Sequence, residues 1–171
     1  MQRRGFSLIE VTLVILILGI MAGAVTLRMA APMNQANLNT IVAETGSFDN
    51  LARTAARTQG RPVQLVIDLG EPALRTSGED GASLGPAYVL PSGYRLAKLY
   101  LGDQTFYSGQ TAIQCSRLGH TATYGLEIEA TNGQRRWLLV AGLTGQMVEC
   151  ENEADIRGIL DASTAARGNA G

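Results

Sequence analysis

The one ionisable side chain between Arg4 and Arg28 is Glu10, set in an apolar stretch that runs from Phe6 to Leu27. A carboxylate near the centre of a membrane helix costs roughly 2.5–3.5 kcal/mol. Buried charge persists where it has a partner, so the chemistry Glu10 points to is charge pairing. The other reactive side chains are sparse. Cys115 and Cys150 form no CxxC motif. In an oxidising compartment they are a possible disulfide, closing a loop worth about 3–4 kcal/mol if their Cα atoms come within about 7 Å; the alternative is two buried free thiols. Glu149, Glu151, Glu153 and Asp155 form an acidic cluster. Calcium needs six to eight converging oxygens, and a strand followed by a helix start does not obviously supply them, so the cluster reads as a solvated edge favoured by a helix dipole. His120 is the lone histidine, with no nucleophile motif near it and no G-x-S-x-G in the chain. Arg135-Arg136 beside Trp137 could touch single-stranded nucleic acid, but the tryptophan more simply packs on a sheet with the arginines at its rim. No catalytic residue, cofactor or metal site is expected, and no P-loop or Rossmann glycine pattern occurs. The net charge of −1 provides no basic field, so no nucleic-acid partner is expected.

The element that must hold Glu10 is a helix. Phe6–Leu27 is long enough to span a bilayer, which takes about 20 residues. Arg3 and Arg4 precede it, which leaves the N-terminus cytoplasmic and the bulk of the chain outside. Three readings compete. The first is a plain transmembrane anchor. The second is a secretory signal peptide, for which Ala22-Gly23-Ala24 fits an A-x-A cleavage site. The third is a short leader cut between Gly5 and Phe6. Only the third gives Glu10 a partner, because cleavage frees a positive α-amine on Phe6 about one helical turn away, and a neighbouring subunit could offer the same amine.

Gly5-Phe6-Ser7-Leu8-Ile9-Glu10-Val11, followed by the apolar run, resembles the leader of type IV pilins and type II secretion pseudopilins. That resemblance implies cleavage after Gly5 by a prepilin peptidase, methylation of Phe6, and an assembly role for Glu10.

Beyond Arg28 the helical pattern continues, with Pro32 expected to kink or interrupt it. Leu38, Ile41, Val42, Phe48, Leu51, Ala52, Ala55 and Ala56 mark one apolar face, and Gly60-Arg61-Pro62 marks the stop. Val63, Leu65, Ile67 and Leu69 alternate as a half-buried strand. Gly70–Pro86 reads as a long loop. Tyr88–Leu90 and Tyr94–Leu101 are strand candidates, and the opposite parity of Arg95 and Lys98 suggests a bulge in the second. Tyr124–Ala130 alternates, Asn132-Gly133 signals a type I′ hairpin, and Arg136–Ala141 and Gln146–Cys150 complete a meander around Thr144-Gly145. Asn152 can cap a short helix with Ile156, Ile159 and Leu160 as its stripe. Ser163–Gly171 has no apolar anchor and is expected to be disordered.

Arg61-Pro62-Val63 after an Ala-rich helix, and Leu139-Val140-x-x-x-Thr144-Gly145 after a hairpin, resemble the H-type minor pseudopilins of type II secretion; these motifs cover Leu51–Leu69 and His120–Val148. The expected fold is therefore α+β and pilin-like, with a long N-terminal transmembrane and amphipathic helix packed on an antiparallel β-sheet domain. The expected organisation is a leader (1–5), a membrane helix (6–28), its amphipathic continuation (29–60), a periplasmic β-rich domain (61–162) and a tail (163–171). The resemblance implies an inner-membrane subunit that joins a pseudopilus and is not an enzyme. Its partners would be other major and minor pseudopilins, the prepilin peptidase and an inner-membrane assembly platform. The alternatives are a minor type IV pilin serving adhesion, motility or DNA uptake, and a membrane-tethered periplasmic binding module.

Overall fold

The computed structural model describes residues 8–168, with side chains for all of these except residues 10, 22–37 and 164–168. Over these residues the chain forms an N-terminal helix α1 (Leu8–Gln59), nine strands and a C-terminal helix α2 (Glu153–Gly168). It divides into two compact units, residues 1–40 and 41–171. The class is α+β with antiparallel sheets.

In the first unit, the helical assignment of α1 passes through Pro32 without a break, so of the kink or interruption expected there, the interruption does not occur. Proline removes one backbone donor, and a helix of 52 residues carries long hydrogen-bonded stretches on both sides of that gap. From Leu8 to Met21 the described side chains are large, apolar and exposed, apart from Thr12 and Gly19. They occupy nearly every position of almost four turns, so the whole circumference is apolar rather than one stripe. Among the described residues no helix is long and apolar enough to cross a membrane, since the described side chains of the run Phe6–Leu27 stop at Met21.

The second unit begins inside α1, at Ile41, rather than at Arg61 where the turn signal lies. It holds two sheets. The first has the order β3-β2-β1-β6, from β1 (Val63–Asp68), β2 (Ala73–Gly78), β3 (Tyr88–Val89) and β6 (Gln110–Cys115). The second has the order β5-β4-β7-β8-β9, from β4 (Tyr94–Leu101), β5 (Gln104–Phe106), β7 (Tyr124–Ala130), β8 (Arg135–Val140) and β9 (Met147–Cys150). β1 buries Val63, Leu65 and Ile67 as its alternation predicts. β2 lies within the segment read as a loop. Its Thr76-Ser77-Gly78 end has no apolar alternation, and its pairing comes from the full-length ladder with β1. The predicted bulge is present, with the β4–β7 register shifting between Leu96 and Lys98.

The β7–β8 hairpin is not type I′. That turn needs positive φ at two central residues, whereas only Gly133 has positive φ here (83°). The Gly133 N–H donates to the Ala130 carbonyl, and the Ala130 N–H donates to the Gln134 carbonyl. This is a three-residue loop with glycine in the left-handed position.

β7 is the centre of the second sheet. Leu126 and Ile128 are fully buried on one face. Glu127, on the other, is also buried, although alternation would place it in solvent. Lys98 Nζ (3.1 Å), Arg135 Nη1 (3.2 Å) and the Tyr100 hydroxyl (3.0 Å) surround its carboxylate. α2 lies over this face. Asn152 Oδ1 caps it by accepting the Asp155 N–H (3.1 Å). Ile156 and Leu160 bury against Tyr100 and Leu139, with Trp137 and Cys150 alongside. Ile159, expected in that stripe, is 44% exposed. The buried contact runs instead through Ile156 and Leu160, an i and i+4 pair. The helix also continues through Ser163–Gly168, where disorder was expected.

Candidate functional site

α1 enters the second unit carrying a buried charge pair. Asp49 and Arg53 are one helical turn apart, which places them on the same face. Both are almost wholly buried. Arg53 Nε donates to Asp49 Oδ2 at 2.5 Å. Its Nη1 donates to the carbonyls of Gly119 (2.9 Å) and Gly142 (2.7 Å). Its Nη2 donates to Thr121 Oγ1 (2.7 Å) and, at longer range, to the Ala141 carbonyl (3.4 Å). A guanidinium has five N–H donors, and each one has an acceptor. The other Asp49 oxygen accepts from the Tyr124 hydroxyl (3.0 Å). Burial, and then the Asp49 carboxylate, hold the Tyr124 phenol well above its ordinary range, so it stays a donor.

This joint ties the helix to the β6–β7 and β8–β9 connections at once. Gly142 makes the approach possible. Its N–H donates to Thr123 Oγ1, and its carbonyl also accepts the Thr121 N–H. A Cβ at this position would clash with the Thr121 carbonyl oxygen and stand 2.7 Å from Ala122 C and Thr123 N. The helical stripe inferred from apolar residues alone is thus incomplete. Leu51 is 49% exposed, while Thr45, Asp49 and Arg53 are buried beside Ile41, Ala52 and Ala56. An acid and a base at i and i+4 was the available signal. Because the joint is closed to solvent, its role is to hold the helix on the sheets.

The residues singled out by sequence fall as follows. Glu10 lies in α1, and its side chain, like Gly5 and Phe6, is outside the described residues. Cys115 and Cys150, offered as a disulfide, are both free thiols. They stand on β6 and β9, which belong to different sheets, and burial pushes both thiols upward in pKa. The acidic cluster is dispersed. Glu149 pairs with Arg136 (2.6 Å) and Glu153 with Lys98 (2.6 Å) and Arg157 (2.9 Å). Among the described residues no group of three or more His, Cys, Asp or Glu is placed to hold a metal. Arg135 is neutralised by Glu127 and Glu129, and Trp137 packs beneath α2. His120 is exposed, with its backbone N–H on Ser116 Oγ.

No curated protein and no solved structure matches the chain. Residues 1–26 match the family model described as the prokaryotic N-terminal methylation motif, so the chain carries a leader of the type IV pilin-like kind.

Proposed function

We propose that this chain is a minor pseudopilin, H-type, of a type II secretion pseudopilus. It is held in the inner membrane by residues 6–28, with the β-rich domain in the periplasm. A prepilin peptidase cuts after Gly5 and methylates Phe6. Glu10 then pairs with the Phe6 amine of a neighbouring pseudopilin, and the apolar helices leave lipid to bundle in the filament. The second unit selects neighbours, with the Asp49–Arg53 joint transmitting its position to the helix. The observation that carries this reading is the all-round apolar surface of Leu8–Met21. A helix apolar on every side needs lipid or other helices to cover it, and here that surface follows the methylation motif.

A minor type IV pilin has the same leader and is the second reading. The test starts with the mass and N-terminal sequence of the protein from cells that contain a prepilin peptidase. A start at Phe6 with one added methyl group is expected. A start after Ala24, or an intact Met1, would overturn the filament reading in favour of a soluble or tethered periplasmic module. Given Phe6, Glu10→Ala should abolish type II export while pilus functions persist; the reverse pattern selects the pilus.

A further inference from the structure

Most of the basic side chains in the second unit are held in ion pairs. Among the lysines and arginines whose side chains are described, each sits in an ion pair except Arg57, Arg61 and Arg117. Those three gather at one place. Arg57 is in the last turn of α1 and Arg61 follows the Gly60 turn. Arg117 is in the loop after β6, and the Arg57 Nε–H donates to the Leu118 carbonyl of that loop (3.1 Å). Arg61 Nε reaches only Gln59 Oε1 (2.8 Å). All three side chains are exposed.

Two leucines stand beside them in water. Leu118 is 63% exposed and Leu143 is 67% exposed. Their loops touch, because Arg53 Nη1 bridges the carbonyls of Gly119 and Gly142, and the Thr121 N–H also reaches Gly142. The carboxylates at this end of the first sheet, Glu79 and Asp80, follow β2. β2 pairs directly with β1 in the register Val63↔Gly78, yet Asp80 Oδ1 accepts the Ala82 N–H and neither carboxylate forms an ion pair with the three arginines.

We propose that this rim is a docking surface for an acidic protein segment that carries an apolar side chain. Carboxylates of the partner meet Arg57, Arg61 and Arg117, and its apolar residue covers Leu118 and Leu143. Charge complementarity selects the partner, since guanidinium forks match carboxylates and none of the three arginines has an acidic partner, Arg57 and Arg61 each spending only Nε, on the Leu118 carbonyl and Gln59 Oε1. The leucines favour protein over nucleic acid, for which phosphate contacts and stacking aromatics carry affinity. The rigid Arg53 anchor beneath both loops keeps the surface formed before binding, which lowers the ordering cost. The inference does not depend on which filament, if any, the chain joins.

The test uses the full chain in detergent micelles and a fluorescent peptide that alternates glutamate and leucine, with anisotropy as the readout. A glutamine–leucine peptide and a DNA oligonucleotide serve as comparisons. Binding of the acidic peptide alone is expected, weakened about fivefold or more by Arg61→Gln with Arg117→Gln, weakened by Leu118→Ser with Leu143→Ser, and reduced by raising the salt. Arg61→Gln with Arg117→Gln removes no contact to the folded core, so an unchanged melting curve separates lost binding from misfolding. Absence of binding by the acidic peptide overturns the proposal. Equal binding of the neutral peptide, or tighter binding of DNA that ignores the leucine changes, overturns it as well.

Discussion

Replacing Arg53 with methionine tests whether the charge pair in α1 is the joint on which the second unit depends. Methionine has similar length and keeps the apolar contacts, so the change isolates the guanidinium. It leaves Asp49 with the Tyr124 hydroxyl as its remaining partner and orphans the inward carbonyl of Gly119. Breaking one half of a buried ion pair costs about 3–5 kcal/mol, and each orphaned acceptor falls within the same mechanism at about 1–3 kcal/mol. A loss of about 4 kcal/mol is a large share of the 5–15 kcal/mol typical of a whole domain. With a urea slope of about 2 kcal/mol/M, the midpoint should fall by about 2 M. The assay is urea unfolding of the full chain in micelles, followed by fluorescence of Trp137, the single tryptophan, beneath α2 in the second sheet. Asp49→Asn with Arg53→Met removes both charges and should cost less than the two single changes added together, by about 1–3 kcal/mol. A midpoint shift for Arg53→Met below about 0.5 M would refute the reasoning, and so would strict additivity of the double change.

Gly142→Ala should destabilise severely, because the new Cβ meets backbone that cannot move aside, whereas Gly133→Ala meets open space and should cost about 1 kcal/mol for its φ alone; thermal melts that rank the two in the opposite order would contradict the geometry. The Arg95 hydrogen bond holds Glu129, and the Lys98 hydrogen bond holds Glu153, below the ordinary glutamate range. Their stabilisation is therefore complete above about pH 4.3 and is lost as pH falls through the lowered values, and Glu129→Gln with Glu153→Gln should flatten the acid limb of a stability–pH curve. Both cysteines should alkylate after unfolding without reductant, and in the folded protein Cys150 should react before the buried Cys115; a mass that shows no alkylation would restore the disulfide.

Local signals in the chain were enough for elements whose chemistry is written in adjacent residues. The alternation of Val63, Leu65 and Ile67 set the buried face of β1, Arg95 and Lys98 placed the bulge in β4, and Asn152 placed the start of α2. The pilin-like leader was legible for the same reason, since the motif over residues 1–26 is carried by contiguous residues rather than by the fold.

Tertiary structure decided what distance in sequence hides. β2 forms because β1 offers it a ladder, not because Thr76, Ser77 and Gly78 favour a strand. Glu127 is buried because Lys98, Arg135 and Tyr100 converge on it from other strands. Arg53, to which no role was assigned from sequence, is buried because Gly119 and Gly142, in two separate loops, turn their carbonyls toward it. In each case a polar group is placed by partners far along the chain, and burial of charge is favourable only once those partners are in position.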